Sequence, residues 1–488
     1  MSWAISRRAE APPPRARLVC PSIRLRGGSF SSERAKIRDA LTAGVGGFIL
    51  FGGTRSAVAS LTTDLRNRAN RELLLGSDLE RGAGQQIRGL TELPPPGALG
   101  FINDLDATAR CGAITAVEAR SVGINWVFAP VCDLDVEPRN PIVQTRSFGA
   151  DPARVGAHAA AWISACQNEG LLACAKHYPG HGRTTTDSHE GVPVVDAPAT
   201  EVQQTDVEPF KSAVRAGVAS VMPGFVSFPA WDPSGAAAGF SKPMLDYLRA
   251  TIGFNGLIVT DAFIMGGATA TAPERDAAVA AIAAGCDMLL YPTDWAGVVR
   301  ALANVETPRA DEALARYEKV LGAAHPGATP RGQQSPLDES TLAEHQRFAD
   351  ALADRALHLL RGEPGPLGKA VSVTIVDDDV GGPYSIPPRD VFIRELAGRG
   401  IGVSRALEPG TRHIVLVYAE PRSWKGRGDL GPQTLAQLER LIPQASLVIL
   451  FAHPRLAAQV PGDVPVLCGW HGQALMQRAA ARWVNRQA

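Results

Sequence analysis

Eight short apolar runs punctuate the chain between Arg17 and Pro292: RLVCPSI, GGFILFG, LLLGSD, INWVFAP, LACAKHYP, ASVMPGF, LIVTDAF and DMLLYP. Each gives way to Gly, Pro or polar residues and then to an Ala-, Leu- and Arg-rich segment with helical spacing, the pattern of repeated βα units. Eight such units predict an α/β chain whose first part is a (β/α)8, or TIM, barrel. An open doubly wound sheet is the alternative that the count disfavours. In a barrel, chemistry sits at the C-terminal ends of the strands and in the loops that follow them.

The barrel is expected over residues 1–335. A helical stretch from Leu337 to Leu360, flanked by the Pro/Gly-rich segments HPGATPRGQQSP and RGEPGPLGK, predicts a connector over 336–368. The alternation restarts with AVSVTIVDD, HIVLVYAE, SLVILFAH and VPVLCGW, so a smaller α/β/α sandwich is expected over 369–488. The polar loop RSWKGRGDLGPQ (422–433) has two readings, a loop that reaches a ligand and a solvated connection, and its composition favours the second. The sequence assigns no role to this second domain and no oligomeric state.

Composition narrows the function classes. The 49 Lys and Arg balance 49 Asp and Glu, which removes the electrostatic footprint of a nucleic-acid binder and points to a small or neutral ligand. Seven scattered cysteines without a C-x-x-C pair (Cys20, Cys111, Cys132, Cys166, Cys174, Cys286 and Cys468) read as buried thiols, not as a zinc site or a disulfide framework. The start, MSWAISRRAEAPPPRARLVCPS, has prolines where a signal peptide needs an apolar run, and no stretch is long enough to span a bilayer. A soluble, cytoplasmic protein is expected.

The segment AKHYPGHGRTTTDSHEG, from Ala175 to Gly191, holds three of the ten histidines. Two chemistries fit it. His177, His181, Asp187 and His189 are metal-ligand types, but Pro179 and Gly180 break the helix that an i, i+4 histidine pair needs. Alternatively Asp187 orients His189 as a proton-transfer dyad. Asp261, directly after the apolar run of LIVTDAF, is either a helix N-cap or a carboxylate poised at the barrel mouth. Asp78 repeats that position, with Glu80, Arg81 and Gln85 in the following loop. Arg146 lies in the loop after the fourth run, where its fork suits a carboxylate or an acyl oxygen.

Taken in order, KHYPGHG…DSH, DLERGAG, FAPVCDL…RSFG, LIVTDAFIMGG and AIAAGCDMLLYP resemble the family 3 glycoside hydrolases, in particular their β-N-acetylhexosaminidase branch, over roughly residues 18–330. The resemblance implies a retaining exo-glycosidase acting on a terminal β-linked N-acetylhexosamine, N-acetylglucosamine above all. Asp261 would be the nucleophile that forms a glycosyl-enzyme, and His189, supported by Asp187, the acid/base. Asp78, Arg146, Lys176 and His177 would contact the sugar. Neither a cofactor nor a metal is implied. A small carbohydrate, such as a cell-wall fragment, is the expected partner, with no nucleic acid and no membrane.

Other readings are a β-glucosidase or glycoside phosphorylase on the same scaffold, a metal-dependent barrel hydrolase, and a non-catalytic sugar-binding protein. Two positions depart from the branch pattern. Gln86 stands where a sugar-contacting Arg is expected, with Arg81 or Arg88 as substitutes, and Gly224 stands where a His is expected.

Overall fold

The computed structural model describes residues 12–26, 28–188, 191–270, 272–304, 308–323, 337–381 and 386–488. Each of the eight apolar runs contains a strand. They are β1 (Val19–Cys20, continued as Ser22–Arg24), β2 (Gly47–Phe51), β3 (Leu74–Ser77), β4 (Trp126–Val127), β5 (Cys174–Tyr178), β6 (Ser220–Pro223), β7 (Leu257–Ile258) and β8 (Leu289–Leu290). Pro21 divides β1, since it has no N–H to give to a ladder.

Pairing closes these strands into a parallel ring. β1 meets β8 at Val19 and Leu289 and meets β2 at Ile23 and Leu50; β2 to β5 and β5 to β8 follow in order. Isolated bridges make the β4–β5 joint, Trp126 with Leu172 and Val131 with Lys176, and the β7–β8 joint, Val259 with Met288. A closed ring has no edge strand to protect, so the apolar runs are buried between the interior and the helices outside.

The C-terminal sheet consists of β9 (His358–Arg361), β10 (Ala370–Asp377), β11 (Gly402–Ser404), β12 (Arg412–Ala419), β13 (Leu447–Ala452) and β14 (Val466–Cys468). Its order is β9-β14-β13-β12-β10-β11, parallel except for β9. Side chains along β12 alternate between two cores. Ile414, Leu416 and Tyr418 join the core shared with the barrel, on the side of helices Val391–Gly398 and Ala474–Asn485. Val415, Val417 and Ala419 join a second core under helix Pro432–Leu441. That period of two, with both faces covered, makes the predicted α/β/α sandwich.

The helix expected from Leu337 to Leu360 runs from Glu339 to Ala356, and His358–Arg361 instead adds an antiparallel strand to the sheet. Helix Glu339–Ala356 ties the two parts together. His345 Nδ1 lies 2.9 Å from Oε1 of the buried Glu118 of the barrel, and the Ala356 carbonyl accepts the Trp470 indole N–H at 2.9 Å. Among the described residues no helix is long and apolar enough to cross a membrane.

Leu416 is fully buried in the core common to both parts. Leu416→Ala is expected to cost about 2–5 kcal/mol of stability, read from the denaturant midpoint, because the sheet cannot collapse onto the missing volume.

Candidate active site

A cavity of about 420 Å³ opens at the C-terminal mouth of the barrel, lined by residues from the ends of several strands and by the C-terminal part of the chain. Asp78 and Glu80 follow β3, Arg146 sits on a single 3-10 turn after β4, and Lys176 and His177 close β5. A regular strand sends consecutive side chains to opposite faces. Here the pairing of β5 with β6 slips between Lys176 and Tyr178, so Lys176 and His177 both line the cavity.

Four of these groups form one ionic network, with the side chains of Lys176 and Glu80 buried and those of Asp78 and Arg146 half-buried. Lys176 Nζ donates to Asp78 Oδ1 at 2.8 Å and lies 2.7 Å from Glu80 Oε1. Arg146 grips Glu80 through two N–H groups at 3.0 and 2.8 Å. Burial disfavours charge on all three of Glu80, Lys176 and Arg146, yet their mutual attraction prevails. It holds Glu80 well below the carboxylate range and raises Lys176 and Arg146. Glu80 was noted in the sequence only as a loop residue, although it is the centre of the network.

Asp133, also given no role by the sequence, organises the β5 loop. Its fully buried carboxylate accepts the His177 N–H at 3.1 Å and the His181 N–H at 2.7 Å, and it lies 2.7 Å from His177 Nδ1. A neutral His177 with its proton on Nδ1 then presents Nε2 as an acceptor. Burial would raise the Asp133 carboxyl, but His177 and His181 lower it. The signal was available in the sequence: like Asp78 and Asp261, Asp133 follows a strand end.

The segment after β5 is tethered. Asn140 donates to the carbonyls of His181 and Thr184 at 2.8 and 3.0 Å. Gly182 passes so close to the barrel that a Cβ there would lie 1.8 Å from the Leu134 carbonyl oxygen. His181 contacts the hydroxyls of Thr184 at 2.7 Å and Ser188 at 3.0 Å, so both its nitrogens are engaged within the loop. Of the histidines read as candidate metal ligands, His181 is thus committed elsewhere, whereas His177 keeps Nε2 as an acceptor towards the cavity. Asp187 is fully buried, and Ser188 lines the cavity while its carbonyl accepts the Gly267 N–H at 3.1 Å. His189, the expected acid/base, lies outside the described residues.

Asp261 lies just beyond β7, 9% exposed, lining the cavity, with Oδ1 accepting the Ala262 N–H at 2.7 Å. The next helix begins at Gly266 with Met265 as its cap, so the N-cap reading of Asp261 does not hold. Gln86 lines the cavity and accepts the Gly52 N–H at 3.2 Å. Arg81 also reaches the cavity, whereas Arg88 is exposed and does not. At Gly224 a Cβ would stand 3.2 Å from that of His177, so the missing side chain leaves His177 its room.

The expectation of a solvated loop at 422–433 is overturned. Glu420, Pro421, Arg422 and Ser423 after β12, and His471 after β14, line the same cavity as Asp261. Lys425 is held by Asp378 at 2.7 Å and Asp379 at 3.0 Å, and the Gly428 carbonyl accepts from Gln144 of the barrel at 3.1 Å. The polar composition of this loop serves ion pairs and barrel contacts, which composition alone does not distinguish from solvation.

Two outcomes follow. Glu80→Gln takes the carboxylate from Arg146 while Lys176 keeps Asp78, and a stability loss of about 1–3 kcal/mol is expected by denaturant titration. Burial lowers the His181 pKa from 6.5 to about 4. A depressed folded-state pKa means that its contribution is complete above pH 6.5 and is lost as pH falls towards 4. The unfolding midpoint should therefore drop over that window, and the drop should shrink in His181→Asn.

Residues 21–320 match the N-terminal domain of glycosyl hydrolase family 3. A β-N-acetylglucosaminidase/β-glucosidase of Cellulomonas fimi is 32% identical over 452 residues, covering 84% of this chain and 78% of that one. A β-hexosaminidase of Chromobacterium violaceum is 38% identical over 299 residues, 58% of this chain and 82% of that one. The fold is shared with a family 3 β-N-acetylglucosaminidase from a Paenibacillus species, with a TM-score of 0.84, 24% identity and coverage of 97% and 96% of the two chains. It is shared as well with a β-glucoside phosphorylase, with a TM-score of 0.83, 21% identity and coverage of 97% and 91%. The strand-end carboxylates around the barrel mouth and the match over the whole barrel lead to one assignment: the chain belongs to glycosyl hydrolase family 3 and is a glycoside hydrolase.

Proposed function

We propose that the protein is a retaining exo-β-N-acetylhexosaminidase that releases terminal β-linked N-acetylglucosamine from a small glycoside such as a cell-wall fragment. The observation that carries this reading is the placement of Asp261 at the end of β7, in one cavity with the Asp78–Lys176–Glu80–Arg146 network. The relatives named for this activity support the choice of sugar.

In this mechanism Asp261 attacks the anomeric carbon as the bond to the leaving oxygen breaks, forming a glycosyl-enzyme with inverted configuration. His189 gives its proton to that oxygen. It then takes a proton from the water that attacks the same carbon, which frees the Asp261 carboxylate and restores the original configuration. Asp187 supports the imidazole through both steps. Ser188, the residue before His189 in the sequence, lines the cavity.

Asp78 accepts hydrogen bonds from sugar hydroxyls, since an ionised carboxylate offers several acceptor sites, and Lys176 and His177 complete the grip beside it. Arg146 lines the same wall while fixing Glu80. Side chains meet both the nucleophilic and the acid/base role, so the mechanism calls on no cofactor.

The purified chain is expected to release nitrophenol from 4-nitrophenyl N-acetyl-β-D-glucosaminide faster than from the corresponding β-glucoside. Asp261→Ala should reduce release to background, and His189→Ala should lower it by about 10²–10⁴-fold. Full activity in Asp261→Ala, or a preference for the glucoside, would overturn the reading.

A further inference from the structure

Asp133 holds His177 by both backbone and ring. Its Oδ1 accepts the His177 N–H at 3.1 Å and the His181 N–H at 2.7 Å, while its Oδ2 lies 2.7 Å from His177 Nδ1. An ionised carboxylate only accepts, so a contact of that length places a proton on Nδ1. Asp133 is fixed in turn from both sides. The Cys132 N–H donates to the Lys176 carbonyl at 2.6 Å, and the Ser147 hydroxyl donates to the Asp133 carbonyl at 2.6 Å. The carboxylate is fully buried, so solvent does not compete for the ring.

The opposite edge of the imidazole belongs to the cavity. His177 lines it, and among the described residues no hydrogen bond reaches Nε2. Beside it, Lys176 Nζ carries three N–H groups, of which Asp78 and Glu80 take two. Lys176 and Arg146 can only donate. A sugar hydroxyl both donates and accepts, so a wall of cations meets half of what it offers. The remaining N–H of Lys176 and a lone pair on His177 Nε2 are together the complement of one hydroxyl: its oxygen takes the first, and its proton goes to the second. Gly224 leaves the ring this place, since a Cβ there would stand 3.2 Å from that of His177 and 3.9 Å from His181 Cδ2.

We propose that Asp133 is a positioning residue that sets the direction in which His177 hydrogen-bonds, so that the cavity wall reads one sugar hydroxyl by the proton it donates. This rests on the exo-glycosidase reading above, which lays the released sugar against Asp78, Lys176 and His177. Asp133 is not among the cavity-lining residues and acts only through the ring. The consequence is selectivity. A sugar with fluorine in place of that hydroxyl has no proton to give, and Nε2 is left unpaired. Asp133→Asn reverses the direction with little change of shape. The two backbone N–H groups keep the amide oxygen at the Oδ1 position, which turns the NH2 towards Nδ1 and drives the ring proton to Nε2.

The test compares the full chain with Asp133→Asn, His177→Ala and the double variant, each checked for its unfolding midpoint. The substrates are 4-nitrophenyl N-acetyl-β-D-glucosaminide and its 3-, 4- and 6-deoxyfluoro analogues. Fluorine changes the reactivity of the sugar alike in every variant, so the readout is the ratio of kcat/KM for the hydroxyl over the fluoro substrate. At one of the three positions this ratio is expected to fall about 10-fold in Asp133→Asn. In the His177→Ala background Asp133→Asn should leave it unchanged, because the effect passes through the ring. A loosened site would instead lower all four substrates together.

The ¹⁵N spectrum of histidine-labelled protein at neutral pH gives a readout free of turnover, with the His177 signals identified by their absence in His177→Ala. The wild type is expected to carry the ring proton on Nδ1 with Nε2 bare, and Asp133→Asn the reverse. A wild type that cleaves the β-glucoside and not the N-acetylated sugar retires the hexosaminidase reading, and the deoxyfluoro glucosides then carry the same ratio. If it cleaves neither, the ring spectra decide. A proton on Nε2 of the wild-type ring, alone or beside one on Nδ1, would overturn the proposal. So would a folded Asp133→Asn in which every ratio stays within about 2-fold of wild type.

Discussion

The site is built around the Glu80 carboxylate. It follows β3, Arg146 lies in the loop after β4 and Lys176 lies within β5, so one acid draws three consecutive βα units together. Placing a carboxylate among apolar layers is costly unless cations meet it with good geometry, and here one bidentate guanidinium and one ammonium do so. The same pairs hold Lys176 against Asp78, so the groups proposed to grip the sugar are set before it arrives.

Asp133 does the corresponding work for the long loop after β5. Its two oxygens receive two backbone N–H groups and face one imidazole nitrogen, while Asn140 takes hold of the loop further on. A loop rich in glycine and hydroxyl side chains has little apolar surface to bury. Its order comes instead from these directed bonds and from the close passage of Gly182 against the barrel.

The C-terminal sandwich is part of the site as well as of the core. One face of its sheet continues the apolar core of the barrel, and the ends of β12 and β14 supply Glu420, Arg422 and His471 to the cavity. Arg81 donates across the seam to His471 and Gln473, and Gln473 donates to the Leu93 carbonyl at 2.7 Å. Apolar packing fixes the distance between the two parts, and these polar contacts fix which residues of the second part look into the first.

Much of this was legible in the sequence, because burial between two layers writes itself as short apolar runs. The eight runs located the barrel strands, and the position of Asp78 and Asp261 just after such runs put them at the mouth. The edge strands β9 and β11 were not visible, since a short strand paired on one side carries little pattern of its own and His358–Arg361 continued a helical one. Glu80 was present in the quoted motifs without a role, because an ion pair between residues 66 or 96 apart has no local signature. Asp133 shared the strand-end position of Asp78 and Asp261, but its bonds to residues 44 and 48 further along were not visible. The sequence by itself determined the order of strands and helices, which follows from the periodicity of apolar residues. Only the tertiary structure decided which charges neutralise one another and that the loop after β12 lines the barrel mouth, because charge pairing depends on distances that exist only once the ring has closed.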